Sequence, residues 1–296
     1  MPNYVGKNDT YHSLHHHGVA VESELMAYRI YFDKKQTIDP YCKRTPRLEL
    51  AQSYWYPNDS LLAEHYGDDI LRVSGTVGVG SVKYWQITSN DQGQTTNGKL
   101  RHIEPVAERS ERIVKQTRNS ATIEVAVKGW EVPKSQISNL KSQIVDIAVQ
   151  YTLCAGHRDM RCDVELSEPV EGLCTGVQTI PAKGLNQQSA ISNLQLENGV
   201  LLASFGTDWP VNDSAKYAKE TVGLGVFIPK EFAGELIQDK QNSLCLFRTN
   251  SAEKKDTSYK AHFYLTCCGA TKEDHPVATN ATEWYTYLRR WASRLR

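Results

Sequence analysis

The segment Tyr11-His12-Ser13-Leu14-His15-His16-His17-Gly18 holds four of the nine histidines of a 296-residue chain. Imidazoles change charge near neutral pH, so such a cluster can supply a general acid, a general base or metal ligands. Consecutive residues cannot all face one site, so one or two of these histidines would act while the others pack or meet solvent. Directly downstream, Arg29 and Tyr31 stand two residues apart, which places them on one face of a strand. A guanidinium beside a phenol suits recognition of a carboxylate or sulfate, because arginine offers a fixed bidentate fork. A surface ion pair with Asp33 is the other reading that the spacing permits.

Lys260, His262 and Tyr264 alternate in the same way, with Tyr259, Ala261, Phe263 and Leu265 opposite. A face presenting Lys, His and Tyr fits the lining of a carbohydrate cleft, or equally a solvated sheet face. His157 and Arg158 lie in the turn-length stretch Ala155-Gly156-His157-Arg158-Asp159, where loops carry function as well as plain solvated residues. Tyr54, Trp55, Tyr56, Trp85 and Trp209 could stack on sugars, although core packing is the default for such rings. Gly75-Thr76-Val77-Gly78-Val79-Gly80 lacks the dinucleotide spacing and has no Walker lysine after it, so it reads as a glycine-rich turn. Asp68-Asp69 reads as adjacent acids in a solvated loop. Neither a Gly-x-Ser-x-Gly elbow nor a His-Glu-x-x-His pair occurs.

The elements that must position these residues are short strands. Met26, Tyr28, Ile30 and Phe32 alternate with Leu25, Ala27, Arg29, Tyr31 and Asp33. Ile123, Val125 and Val127 repeat the pattern, as do Val145 to Leu153 and Met160 to Leu166, the last two forming a hairpin about the turn at 155–159. Further strands are expected at Leu173–Ile180, Val200–Phe205, Val222–Ile228, Ser243–Arg248 and Tyr259–Cys267, with polar loops at Ser89–Lys99 and Asn212–Glu220. One clear helix closes the chain. Asn280 caps it with Glu283 three residues on, and Trp284, Tyr287, Leu288, Trp291 and Leu295 recur at helical spacing. A shorter helix is expected near Ser60–Tyr66. Many strands without β-α-β alternation indicate an all-β protein, a large antiparallel β-sandwich with a C-terminal helix, and residues 1–296 read as a single domain.

Composition narrows the partners. The 34 Lys and Arg balance 34 Asp and Glu, which makes no electrostatic case for nucleic acid. No run of 18 apolar residues suggests a membrane span. Seven cysteines without a Cys-x-x-Cys pair argue against a zinc ribbon or a disulfide framework and read as small buried hydrophobes. Met1 to Thr10 shows no signal-peptide pattern.

The stretch His16-His17-Gly18 … Glu22-Ser23-Glu24-Leu25-Met26-Ala27-Tyr28-Arg29-Ile30-Tyr31-Phe32-Asp33-Lys34, with Ile38-Asp39 and Lys43, resembles a Bacteroidota family catalogued as a domain of unknown function (DUF4861). Gly67-Asp68-Asp69, Ala155-Gly156-His157-Arg158-Asp159 and Asn280-Ala281-Thr282-Glu283-Trp284 are similar too, so the resemblance covers nearly the whole chain. It implies a mutarotase- or lyase-like β-sandwich, a periplasmic setting and an acidic oligosaccharide as substrate. It further implies the dehydratase activity known for ulvan oligosaccharides, in which water leaves a non-reducing-end glucuronate or iduronate to give a 4,5-unsaturated uronate. A polysaccharide lyase using the same β-elimination and a non-catalytic carbohydrate-binding sandwich are the alternatives.

Elimination of the 4-hydroxyl requires removal of the proton beside the carboxylate, so a cation must neutralise that carboxylate as charge builds. Arg29 is the expected neutraliser, with Lys260 in reserve. His15 or His16 and Tyr31 or Tyr264 are the expected base and acid. His17, His157, Arg158, Lys260, His262 and Tyr264 are expected to bind substrate. The scheme requires no cofactor; a divalent metal, if used, would belong at His15–His17. On this scheme Arg29→Ala removes turnover and leaves the fold intact.

Overall fold

A computed structural model describes residues 4–6, 14–54, 56–89, 95–133, 143–180, 190–251 and 258–295. Tyr11, His12, Ser13 and Trp55 lie outside the described residues.

The described residues form three antiparallel sheets. The largest has ten strands and runs Tyr4–Gly6, Glu108–Gln116, Ser120–Val132, Gln143–Cys154, Met160–Leu166, Tyr259–Gly269, Glu220–Pro229, Gly199–Asp208 and Ala190–Leu196, with Asn250–Ser251 paired beside Tyr259–Gly269. The second joins Ala233–Gln238, Asn242–Phe247, Leu173–Gln178, Lys83–Ser89 and Thr95–Arg101. The third, which carries the histidine segment, joins Gly18–Glu22, Met26–Tyr31, Ile38–Cys42 and Asp68–Asp69.

Period-two alternation explains the layering. Val125, Val149 and Val164 stand in register across three strands of the main sheet, and all three are buried. They share one core with Met26, Tyr28 and Ile30 of the third sheet and with Tyr84, Leu173 and Val177 of the second. Each such aliphatic side chain stabilises the fold by roughly 1.5–3 kcal/mol when fully buried. The result is the sandwich that the strand pattern predicts.

The opposite face of the main sheet is covered as well. Trp284, Leu288 and Trp291 of the C-terminal helix Ala281–Ala292 pack on Leu201, Ala203, Phe227 and Tyr264. Asn280 Oδ1 accepts from the Glu283 N–H at 3.0 Å, which satisfies a donor of the first turn, and Glu283 Oε2 accepts from the Thr279 N–H at 2.7 Å just ahead of the cap. Gly223 makes room for this docking, since a Cβ there would lie 2.6 Å from the Trp284 indole.

One expected loop is partly a strand. Ser89–Lys99 is not simply a loop: Thr95–Arg101 pairs with Lys83–Ser89, setting Leu100 opposite Trp85. Gly98 lies against that indole, where a Cβ would come within 2.1 Å of Nε1, so the small residue that suggests a turn serves a close approach. The short helix spans Asp59–Ala63, with Asn58 as its cap. All seven cysteines are unpaired and all but Cys154 are buried. Among the described residues no helix is long and apolar enough to cross a membrane.

Candidate functional site

The third sheet brings the histidine segment to Arg29 and Tyr31. Gly18 stands opposite Tyr31 in the register, and the Phe32 N–H donates to the His17 carbonyl at 2.9 Å. Ahead of this strand, His15–His17 form one tight turn in which His16 and His17 hold φ of +57° and +61°, a left-handed conformation uncommon for side-chain-bearing residues. Residues 50–54 clasp the turn. His15 Nε2 lies 3.0 Å from the Ser53 carbonyl and His16 Nε2 lies 2.7 Å from the Leu50 carbonyl, while the His16 N–H donates to the Tyr54 carbonyl. The His15 ring stacks on His16 and Tyr54, at 4.2 and 4.7 Å between centroids. Burial lowers His16 to about 4, against the pull of the Leu50 carbonyl, so its imidazole is neutral at pH 7. A carbonyl only accepts, so Nε2 carries the proton, and the buried Nδ1 is left as an acceptor with no partner.

His17 turns the other way. Its ring meets Tyr31 edge-on at 5.9 Å and Tyr56 at 6.0 Å. Beneath them lies a charged network. Arg29, wholly buried, donates to Asp39 Oδ2 at 2.5 Å and to Asp69 Oδ1, and the Tyr31 hydroxyl donates to the same Asp39 oxygen. Asp39 is the register partner of Arg29 on the next strand, and the Tyr56 ring lies 5.5 Å from the guanidinium. Burial would weaken the guanidinium as a base, but Asp69 and Asp39 more than offset this and hold Arg29 firmly cationic. Burial also raises the Asp69 carboxyl well above the carboxylate range, with Arg29 pulling it back. Arg29 is thus committed to two internal carboxylates, so its fork is not the open anion cradle that the sequence suggests.

Asp68 and Asp69 are not solvated loop acids. Both are buried in a short strand paired to Tyr41 and Cys42. Tyr217, from the irregular stretch before Glu220, approaches them, and its phenol is raised by burial and then by their charge.

The other expected site residues stand elsewhere. The main chain of His157 and Arg158 anchors the third sheet: Ser23 Oγ donates to the His157 carbonyl and the Tyr28 hydroxyl to the Arg158 carbonyl, each at 2.5 Å. The Arg158 guanidinium makes a bidentate pair with Glu273 at 3.0 and 3.0 Å, whereas the His157 ring is exposed beside Asp159. Tyr28 lies three residues from Tyr31 on the opposite face of its strand, roughly 10 Å along it. Lys260, His262 and Tyr264 lie on the helix-covered side of the main sheet, while Ala261, Phe263 and Leu265 fill the shared core. Lys260 is exposed near Glu165, the His262 ring packs on Phe232 at 4.8 Å, and Tyr264 accepts from Arg161 at 3.0 Å. A full layer of sheet and core separates these three residues from His17 and Tyr31, so they cannot serve one site.

The residues missed by sequence reasoning are Asp39, Asp69 and Glu111. Asp39 was legible in principle: strands at Met26–Tyr31 and Ile38–Cys42 form a hairpin whose register sets position 39 against 29. Glu111 comes from a strand of the main sheet and gave no local signal. Of the aromatic residues, Tyr56 joins the site, Tyr54 is exposed beside His15, Trp85 packs in a satellite core, and Trp209 lies under Lys219. Among the described residues no group of three or more His, Cys, Asp or Glu side chains is arranged to hold a metal ion.

Two solved structures with a detectable likeness are α-galactosidases of glycoside hydrolase family 36 from Geobacillus stearothermophilus: AgaB, and an AgaA variant in complex with 1-deoxygalactonojirimycin. Each is 10% identical, with TM-scores of 0.30 and 0.31, and the match covers 86% of this chain and 40% and 41% of theirs. The chain therefore spans about two fifths of the length of those enzymes. No curated protein matches it in sequence. A family-wide comparison is decisive where these are not: residues 2–296 match DUF4861, a domain of unknown function, and the chain belongs to that family.

Proposed function

We propose that the protein is a carbon–oxygen lyase that removes water from the non-reducing-end uronate of ulvan-type oligosaccharides, giving a 4,5-unsaturated uronate. The observation that carries this reading is the packing of His17 against Tyr31, with the Tyr31 hydroxyl on Arg29-bound Asp39. In the scheme, His17 takes the proton from C5 and Tyr31 gives its proton to the departing 4-oxygen. The C4–O bond breaks, the C4=C5 bond forms and water leaves. Arg29 neutralises the Asp39 carboxylate against which the Tyr31 phenolate is left, and proton return from His17 through solvent resets the pair. Arg29 is then a positioning residue that acts through Tyr31 and Asp39, not the carboxylate ligand. Tyr264 and Lys260 drop out because they face the other side of the main sheet.

The test is incubation with short saturated oligosaccharides ending in glucuronate or iduronate. A dehydratase raises ultraviolet absorbance and lowers the mass by one water without shortening the chain. Shortening with the same absorbance rise would identify a polysaccharide lyase, and binding with neither change a non-catalytic module; each result would replace the proposal.

A further inference from the structure

A cavity of about 480 Å³ opens between the histidine turn, Leu50–Ala51 and the main-sheet strand Glu108–Gln116. Its size falls in the range of small-molecule sites, roughly 300–1,000 Å³. Leu14, Val19, Leu50 and Ile113 make the walls apolar. One carboxyl group is set into them. Glu111 is only 2% exposed; its Oε2 accepts from the Val19 N–H at 2.8 Å, and its buried Oε1 has no partner. Gly18 keeps the space beside that oxygen clear, since a Cβ there would lie 3.1 Å from Oε1. A second acceptor without a partner, His16 Nδ1, belongs to a residue of the same wall.

A buried polar atom left unsatisfied costs roughly 1–3 kcal/mol, so two on one cavity wall point to a ligand that satisfies them. Burial pushes the Glu111 carboxyl up to about 8, against the Val19 N–H and Arg109, so at neutral pH it is an uncharged group that both donates and accepts. Arg112 stands exposed at the mouth, paired to Glu124 at 2.6 Å, and disfavours a cationic ligand. Apolar walls with an uncharged acid and a neutral imidazole suit a ring with C–H faces and a hydroxylated edge. We propose that this cavity binds an uncharged pyranose ring, as one residue of an oligosaccharide, through Glu111 Oε1 and His16 Nδ1. The proposal rests on the carbohydrate reading above, but its test reads binding and not turnover.

The probes are methyl glucoside, methyl galactoside and methyl xyloside, titrated separately into the whole protein with the Ile113 methyl and His16 ring signals followed by NMR. Saturable shifts of both signals are expected for at least one glycoside. Glu111→Gln should keep the affinity within about threefold, and Glu111→Leu should weaken it by about tenfold or more. Ala51→Trp, on the exposed part of the wall, should block binding without touching the core. The proposal fails if none of the glycosides shifts these signals, if butylammonium binds and the glycosides do not, or if Glu111→Leu binds like the parent. Should Glu111→Leu not fold, unchanged binding in Ala51→Trp overturns it equally. Glycoside binding without water elimination would leave this site standing and remove the dehydratase reading; elimination without glycoside binding would do the reverse.

Discussion

Arg29→Ala probes the charged network directly. The guanidinium is fully buried, and Asp39 and Asp69 are 1% and 3% exposed, so water cannot replace the lost cation. Removing one partner of a buried ion pair costs about 3–5 kcal/mol, because the remaining charge is left uncompensated. Here two carboxylates are left facing each other. For a domain of this size each kcal/mol moves Tm by roughly 2–4 °C, so a fall on the order of 10 °C is expected. The penalty also carries a pH signature. Burial already raises the Asp69 carboxyl, and without the Arg29 charge that pulls it back it rises further above its unfolded value. Protonation then relieves the repulsion, so the penalty is least at low pH and grows as pH rises above the unfolded carboxylate value. Urea denaturation of parent and variant at pH 5 and pH 8 measures it, with the larger loss at pH 8. A loss below about 1 kcal/mol, or one equal at the two pH values, would refute the reasoning. Arg29→Ala therefore reports on stability before activity, and Tyr31 carries the functional test.

Tyr31→Phe should lower turnover of a uronate-capped oligosaccharide by about 10²–10⁴ while melting within a few degrees of the parent; turnover within threefold of the parent would remove Tyr31 as the acid. Glu111, raised to about 8, contributes stability below its unfolded value that is lost as pH rises through 8. Glu111→Gln should therefore gain on the parent by more than about 1 kcal/mol between pH 6 and pH 9 in urea melts. His16, lowered to about 4, favours the unfolded state as pH falls from its ordinary value towards 4, so a folded His16→Gln variant should flatten the acid limb of the stability profile. Trp284→Ala should cost about 3–5 kcal/mol by denaturation, since the indole is wholly buried on Gly223 and donates to the Leu224 carbonyl at 3.1 Å.

Strand alternation was the strongest signal in the sequence, and it served the fold well. Ile123, Val125 and Val127, or Val149 and Tyr151, point to one face because a pleated strand leaves no other choice, and the capped C-terminal helix follows from Asn280 and Glu283 by equally local rules. Alternation says which side chains share a face. It does not say what lies above that face. Lys260, His262 and Tyr264 do share one, but the C-terminal helix and its satellite core lie on that side of the sheet. Arg29 and Tyr31 share one too, and there the neighbouring strands supply Asp39 and Asp69 to neutralise the guanidinium. Asp68 and Asp69 looked solvated because adjacent acids usually are; the buried Asp69 is met by a cation 40 residues away in the chain. Pairings of this length are set by topology, which residue type and spacing do not encode.

The clamp formed by the 155–159 turn has a consequence for how the molecule is made. Ser23 and Tyr28 are secured by carbonyls 134 and 130 residues downstream, and Arg158 in turn by Glu273, a further 115 residues on. At ribosomal rates of roughly 5–20 residues per second, the first partner of the histidine-bearing sheet emerges tens of seconds before the last. Long-range pairing of this kind also slows refolding. The sheet that carries the N-terminal candidate residues pairs its own strands locally, but the brace behind it is complete only when nearly the whole chain has been translated, and a product cut short before Glu273 would hold those residues without that support.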